Sequence, residues 1–325
     1  MQKKLTRRSF LKTSLLGGAA AASCLLLPPS VTASNGEDLC TLLDVRKCIA
    51  CGACVEACRD INGHKFPELE GPIPVKLPRS RVEIADWTSP AKRAVRDRLT
   101  PFNWLMIQTA RGQYKGNDFE LHLPRRCMHC HNAPCVNLCP FGVAFTQGNG
   151  IVRIHPDMCM GGGKCKQVCP WQIPERQSGV GSYLNLLPNF AGNGVMFKCD
   201  RCYDRLALGE LPACIEACPK ELQRIGPRKE ILKRAHRLAR EIDGFIYGEN
   251  ESGGTNTIYV SPVPFNVLNQ AIATGPGRPH LKGVPGAMTR VNHFASALIA
   301  GPVIGAIAAV ARRKRSVAKS DGQEG

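Results

Sequence analysis

The spacing of the cysteines constrains this chain more than any other feature of its sequence. The chain has 325 residues and 17 cysteines, and all but two of these cysteines fall into four blocks. The blocks are Cys48-x2-Cys51-x2-Cys54-x3-Cys58, Cys127-x2-Cys130-x4-Cys135-x3-Cys139, Cys159-x5-Cys165-x3-Cys169 and Cys199-x2-Cys202-x11-Cys214-x3-Cys218. Abundant glycine (32) and proline (24) favour loops over a large helical core. The repeat predicts a chain organised around its thiols.

Closely spaced cysteines form disulfides, zinc sites or iron–sulfur clusters, and their spacing indicates which of the three is present. Disulfides between C-x2-C pairs would close small, strained loops. Block four alone fits a zinc site, but the four cysteines within residues 48–58 would crowd one tetrahedral ion. In the bacterial ferredoxin run, three close cysteines ligate one cluster, and a fourth, usually followed by proline, ligates the next cluster. The blocks are variants of this run and predict iron–sulfur clusters.

Adjacent blocks exchange their last cysteine in a two-cluster unit of this kind. Only 19 residues separate Cys139 from Cys159, so blocks two and three predict an inner unit, with blocks one and four forming an outer unit around it. The predicted ligand sets are group 1 (Cys48, Cys51, Cys54, Cys218), group 2 (Cys58, Cys199, Cys202, Cys214), group 3 (Cys127, Cys130, Cys135, Cys169) and group 4 (Cys139, Cys159, Cys165).

Block three lacks one cysteine of the repeat. Gly162 occupies the position at which a regular block would have a ligand, and glycine offers no side chain. The sequence therefore predicts three [4Fe-4S] clusters and, in group 4, one [3Fe-4S] cluster or a four-iron cluster with one labile iron. Asp157, Met158 and Met160 are the alternative donors nearby.

The first 33 residues have the pattern of a Tat signal peptide. Arg7 and Arg8 precede an apolar stretch at residues 15–27, and small residues follow at 31–33. An N-terminal core helix is the alternative. Export in the folded state also suits the thiols, because an unfolded chain in an oxidising compartment would form random disulfides.

A second segment suited to a membrane lies near the C-terminus. Residues 294–311 carry no charge and, as an α-helix, would be about 27 Å long, close to the thickness of a hydrocarbon core. Four basic residues follow directly, and the positive-inside rule places them in the cytoplasm. The sequence predicts a single-span anchor with the body on the periplasmic side of the inner membrane. A small-residue core helix is the alternative.

The blocks and both ends together resemble the Hyb-type ferredoxin subunit of membrane-bound periplasmic [NiFe] hydrogenases. The matching segments are 197–202 (FKCDRC), 247–255 (YGENESGGT) and the strand-like 258–260 (IYV). The wider family includes the beta subunits of formate dehydrogenase, dimethyl sulfoxide reductase and nitrate reductase. The resemblance implies two partners, a catalytic oxidoreductase subunit and an integral membrane subunit that reacts with quinone. Gly162 and Arg59, which stands where proline commonly follows block one, depart from the family pattern.

The predicted fold is α+β, with two nested bacterial ferredoxin-like 2×[4Fe-4S] units, inserts and a C-terminal transmembrane helix. The predicted domains are the signal peptide (1–33), the first block with its insert (34–126), the inner unit (127–170), the fourth block (171–225), a C-terminal extension (226–290), the anchor (291–311) and a basic tail (312–325). An apolar stripe at 228–242 predicts a helix, and residues 73–76 and 81–84 are predicted short strands. His129 and His131, on either side of Cys130, are predicted to be exposed, and the alternative is that they tune a cluster through hydrogen bonds to its ligands.

The predicted function is electron transfer without a substrate of the chain's own. The sequence has no nucleophile with its base, no phosphate loop and no dinucleotide fingerprint, so we expect no enzyme activity and no catalytic residues. The formal net charge of +17 would suit nucleic acid, but buried thiolates are a partner for basic residues inside the fold, and no nucleic acid is predicted. The alternatives are the beta subunit of a molybdopterin enzyme such as formate dehydrogenase and a zinc-stabilised scaffold protein.

Overall fold

The computed structural model of the protein describes residues 37–69, 72–78, 83–186, 193–286 and 288. The strands in these residues are β1 (Leu39–Asp44), β2 (Met106–Tyr114), β3 (Asn117–Arg125), β4 (Ala144–Thr146), β5 (Val152–Ile154), β6 (Glu175–Ser178), β7 (Gly194–Phe197), β8 (Gln223–Pro227), β9 (Phe245–Tyr247) and β10 (Thr257–Ser261). The helices are α1 (Ala53–Asn62), α2 (Pro90–Arg93), α3 (Pro134–Asn137), α4 (Lys164–Val168), α5 (Tyr183–Leu186), α6 (Tyr203–Ala207), α7 (Ala213–Glu216), α8 (Arg228–Glu241) and α9 (Phe265–Ala271).

A mixed sheet with the strand order β8-β1-β10-β9 supports the rest of the fold. β1 runs parallel to β10 and antiparallel to β8. The helix α8 covers one face of this sheet, because Ile231, Ala235 and Ala239 recur every four residues on one side of the helix and are buried against β1 and β10. The predicted helix at 228–242 and the predicted strand at 258–260 are both confirmed.

The pairing of β1 with β8 joins two segments that lie far apart in the sequence. The N–H of Asp44, at the end of β1, donates to the carbonyl oxygen of Leu222, which directly precedes β8, at 3.0 Å. Cys48 follows β1 after a single 3-10 turn, and Cys218 lies shortly before β8. The sheet therefore brings the start of block one to the end of block four.

Antiparallel hairpins connect the remaining blocks. β4 and β5 pair between blocks two and three, and β6 and β7 pair between blocks three and four. The longer hairpin of β2 and β3 ends at Arg125, just before Cys127. Cysteines of all four blocks belong to the main hydrophobic core, together with Trp104, Trp171 and Tyr247. This mixture of helices with mainly antiparallel strands confirms the predicted α+β class.

The short strand predicted at 73–76 is wrong, because the structure shows no strand there. Pro74 has no N–H group and cannot donate to a sheet ladder. The insert is held instead by single contacts, such as the N–H of Ser178 donating to the carbonyl oxygen of Ala85 at 2.8 Å. Of the other predicted strand, residues 83 and 84 are in no strand, and residues 81 and 82 lie outside the described residues.

The two predicted membrane-related segments lie outside the described residues. These are the signal peptide at 1–33 and the anchor at 291–311, together with the tail at 312–325. In the portion of the chain that the structure does describe, no helix combines the length and the apolar character needed to cross a bilayer.

Candidate metal centres

Each cysteine block begins with the same backbone turn. The residue two positions after the first cysteine has a positive φ in every block, namely Ala50 (54°), His129 (48°), Gly161 (64°) and Arg201 (60°). A left-handed residue at this point turns neighbouring backbone N–H groups toward one spot and forms a concave site that favours anions. Accordingly, the N–H of Arg201 donates to Cys199 Sγ at 3.3 Å.

Backbone N–H groups also bond the first cysteines of blocks one and three. Burial raises the pKa of Cys48, and the N–H of Ala50 opposes that rise. Burial likewise raises the pKa of Cys159, and the N–H groups of Gly161 and Met196 oppose it. These donors stabilise the thiolate, which is the form of cysteine that binds metal. The turn therefore prepares a buried sulfur for a metal.

Block one ends differently from the other three blocks. In blocks two to four a proline follows the last cysteine, and the helix before it stops because the residue preceding proline disfavours helical geometry. In block one Arg59 stands in place of proline, and α1 continues to Asn62. The side chain of Asn62 then donates to the carbonyl oxygen of Cys58 at 2.8 Å and lies 3.8 Å from its sulfur.

The cysteines of groups 1 and 2 surround two separate cavities. All four cysteines of group 1 line the first cavity, beside the exposed side chain of Ile49. All four cysteines of group 2 line the second cavity, beside Trp104 and Arg126. Both cavities therefore combine sulfur atoms from block one with sulfur atoms from block four.

Groups 3 and 4 are assembled from blocks two and three. The three cysteines of group 4 line a cavity together with Gly162. Burial, and then the charges of the other three cysteines of group 3, raise the pKa of Cys130 well above its usual value, so these four sulfur atoms are also neighbours. The structure brings together the members of each group, and their role as iron ligands stays a prediction.

The four groups follow one another in the order 1, 2, 3, 4. Burial is the main cause of the raised pKa of each thiol, and a cysteine of the next group raises the pKa further in three pairs: Cys54 by Cys214, Cys199 by Cys127 and Cys165 by Cys135. The interaction between two charges weakens with distance, so cysteines that act on one another are near neighbours. Neighbouring groups therefore lie side by side, and the groups form a row.

The buried hydrogen-bond donors near groups 2 and 3 indicate whether these sites suit an iron–sulfur cluster. The Nε atoms of Arg126 and Arg201 and the Nε2 atom of His129 are buried and have no acceptor among the described residues. Buried donors normally have a partner, and an orphaned donor indicates a bound group or water. Thiolate ligands surrounded by unpaired N–H donors suit a cluster, because its sulfides are anionic acceptors.

The prediction that both histidines are exposed is wrong for His129. Its side chain is fully buried, and its Nδ1 accepts the N–H of Val152 at 3.1 Å. The prediction is confirmed for His131, which is exposed, and whose Nε2 lies 2.9 Å from Asn256 Oδ1 and 3.3 Å from Asp38 Oδ2. His129 lies in the core because the residues directly before it, 123–128, are all buried.

Sequence reasoning also missed two basic residues that contact the cysteine groups. Arg126 Nη1 donates to Cys214 Sγ at 3.0 Å, and Lys198 is buried next to Cys199. The available signal was their position, since each directly precedes the first cysteine of a block. Cys40, outside the blocks, is buried in β1.

The described residues contain no arrangement of three or more His, Cys, Asp or Glu side chains that would hold a single metal ion. The 16 cysteines within the described ranges are all free of disulfide bonds.

The backbone does not require glycine at position 162. A Cβ atom at Gly162 would meet only the ring of Phe141, at 3.5 Å, and its φ is not in the left-handed region. By contrast, Gly161 has a φ of 64°, and a Cβ atom there would lie 2.2 Å from the backbone nitrogen of Gly194. The alternative donors Asp157, Met158 and Met160 do not line the group 4 cavity.

Comparison with known proteins indicates the same class of cofactor. Two family profiles, both described as 4Fe-4S dicluster domain, match residues 119–228 and 47–143. These matches and the cysteine groups define an iron–sulfur protein of the ferredoxin type with two dicluster domains.

Three relatives refine this class. The chain is 31% identical to the thiosulfate reductase electron transfer subunit PhsB of Salmonella typhi, over 57% of this chain and 73% of PhsB. It is 28% identical to the hydrogenase-2 operon protein HybA of Escherichia coli O157:H7, over 82% of this chain and 83% of HybA. It is also 28% identical to the nitrate-inducible formate dehydrogenase iron-sulfur subunit of Escherichia coli K12, over 74% of each chain. The chain belongs to this family of ferredoxin-type iron–sulfur subunits.

The two adjacent glycines of block three give a matched test of the loop geometry. Gly161→Ala should lower the free energy of unfolding by about 2 kcal/mol or more, because the new Cβ atom meets the backbone of Gly194 and the residue needs a left-handed φ. Gly162→Ala should leave stability nearly unchanged. Thermal unfolding of both purified variants measures the difference, and equal midpoints would contradict this account of the loop.

Proposed function

We propose that the chain is an iron–sulfur electron-transfer subunit of an oxidoreductase complex. The observation that carries the proposal is the row of four cysteine groups, which runs from the surface beside Ile49 at group 1 to the surface beside Phe141 at group 4. Ile49 is 53% exposed and Phe141 is 51% exposed, so partner proteins can reach both ends of the row. Such a row suits the passage of single electrons between two partners.

In this function groups 1, 2 and 3 each hold a [4Fe-4S] cluster, and group 4 holds a [3Fe-4S] cluster. When bound, the clusters accept and release single electrons at potentials set by charge, hydrogen bonds and burial. The chain's own residues position the sulfur atoms, donate N–H groups to them and exclude water from group 2, whose cysteines are all buried. We assign no catalytic residue.

The nested pairing of distant blocks can be tested with single cysteine variants. Cys218→Ala and Cys48→Ala should abolish the same cluster signal in EPR spectra, because both residues belong to group 1. Cys214→Ala should abolish a different signal, that of group 2, although Cys214 is in the same block as Cys218.

Cys40→Ala is the matched control, because Cys40 is buried outside the blocks, and this variant should keep its full iron content. Loss of one common signal in the Cys214 and Cys218 variants would contradict the nested pairing.

We further propose that the catalytic partner is a periplasmic [NiFe] hydrogenase and that the second partner is an integral membrane subunit that reacts with quinone. At equal identity of 28%, HybA matches 82% of this chain, whereas the formate dehydrogenase subunit matches 74%. The predicted signal peptide and anchor support a location on the periplasmic side of the inner membrane. The iron–sulfur subunit of a molybdopterin enzyme such as formate dehydrogenase is the second candidate.

The complex that contains this chain should be brown, and it should be recovered from the membrane fraction under anaerobic conditions. Hydrogen should bleach its visible absorption, because reduced clusters absorb less, and mass spectrometry should identify a hydrogenase subunit. Bleaching by formate alone would favour the second candidate. A colourless protein that contains zinc would refute electron transfer, and recovery in the soluble fraction would refute the anchor.

The three-iron cluster has its own test at Gly162. The wild-type protein should contain about 15 iron atoms and show the EPR signal of an oxidised [3Fe-4S] cluster. Gly162→Cys should raise the content to about 16 iron atoms and remove that signal, because the site has room for a side chain beside Phe141. Gly162→Ala adds a side chain without a ligand and should keep the signal. Four complete clusters in the wild-type protein would contradict this proposal.

A further inference from the structure

Three positively charged side chains are buried in the middle of the row. Arg126, Lys198 and Arg201 are 2%, 6% and 3% exposed. In the described part of the chain none of the three forms an ion pair with a carboxylate, and Asp200, which lies near Lys198, is bonded to Lys65 at 2.9 Å. Burying a charge is costly unless an opposite charge or hydrogen bonds compensate for it.

Arg126 contacts a cysteine sulfur directly, whereas Lys198 and Arg201 lie beside the cysteines and are bonded to oxygen atoms. The guanidinium of Arg201 donates to the carbonyl oxygens of Leu39 and Asn256 and to Thr257 Oγ1. Arg126 Nη1 donates to Cys214 Sγ at 3.0 Å, and its other bond, at 2.6 Å, goes to Gln223 Oε1. Lys198 donates to the carbonyl oxygens of Val152 and Cys199.

The same region contains repulsion that the protein chain alone does not relieve. Arg126 and Arg201, which carry the same charge, both line the group 2 cavity. His129 is fully buried two residues after Cys127. Because its Nδ1 accepts a backbone N–H, the proton is on Nε2, which has no acceptor. Crowded cations with unpaired donors fit a neighbouring group that is anionic and rich in acceptors.

The cations near the two end groups are less buried. Near group 4, Lys166 bonds the buried carboxylate of Glu175 at 2.7 Å, half-buried Arg176 donates to the carbonyl oxygen of Gly161 at 3.1 Å, and Lys164 is exposed. Near group 1, Lys47 and Lys220 line the cavity and are exposed, so water screens them. The central groups are therefore the ones flanked by Arg126, Lys198 and Arg201, which are buried more deeply than these cations near the end groups.

We propose that Arg126, Lys198 and Arg201 set the reduction potentials of the two central clusters, an inference that rests on the proposed function. Reduction adds one electron to a cluster and makes it more negative. A buried cation nearby favours that form and raises the reduction potential, since little water is present to screen the charge. The three residues act through the clusters and are positioning residues.

Arg126→Gln removes the charge and keeps an N–H donor. We expect a normal iron content and a central cluster whose equilibrium constant for reduction falls about tenfold, a potential about 59 mV more negative for a one-electron couple. Arg126→Lys should keep the wild-type potential. EPR-monitored redox titration of the anaerobically purified protein, with iron and sulfide analysis of each sample, gives both quantities.

Two further variants complete the test. Arg224→Gln removes one charge from the exposed face of β8 and is the matched control, which should leave all potentials unchanged. Lys198→Gln should lower a central potential in the same direction as Arg126→Gln. If one glutamine variant fails to load iron, the other decides the outcome.

Failure of the proposed function and failure of the proposed role of the cations would give different experimental results. Wild-type protein without iron would refute the proposed function itself. Fully loaded glutamine variants with wild-type potentials would overturn the role of the cations and leave electron transfer intact. Loss of iron in Arg126→Gln and Arg126→Lys alike would show that the guanidinium shape, and not its charge, is needed.

Discussion

The hydrogen-bonded pairing of β1 with β8 is the contact on which the arrangement of the cysteines depends. It fixes the segment before block one against the segment after block four, and so creates the two cavities that both blocks share. The hairpin of β4 and β5 does the same for blocks two and three over a short interval. One long-range strand pair and one local hairpin thus convert a linear repeat into a row of sulfur groups.

Electrostatic interactions explain how a chain with a high net positive charge can bury so many cysteines. Burial raises the pKa of Cys54 and Cys169 to about 12, so the thiolates need compensation before they can bind metal. The turns supply backbone N–H groups, and in two blocks a buried basic side chain directly precedes the first cysteine. The buried N–H donors beside groups 2 and 3 have no acceptor among the described residues, as expected next to an anionic group.

Much of this organisation could be predicted because it repeats or is periodic. The cysteine blocks indicated the class of protein, and the apolar stripe indicated α8, since helical spacing survives in any context that buries one face. The burial of His129 and the contact of Arg126 with Cys214 depend on a partner from another block, which no local pattern encodes. The strand at 73–76 failed for the opposite reason, because local β-propensity had no neighbouring strand to pair with.

The nested order of the blocks also has a consequence for biosynthesis. The inner groups have all their cysteines once the ribosome has passed Cys169, but the outer groups wait for Cys218 and for the closing strand β8. β1 additionally pairs with β10, which is made later still. Until then the cysteines of block one lack the block four cysteines with which they form groups 1 and 2, although block one is synthesised first. In a nascent chain of this kind the inner groups 3 and 4 are complete before the outer groups 1 and 2. A reducing cytosol is therefore needed to keep the cysteines of block one as free thiols until block four is synthesised.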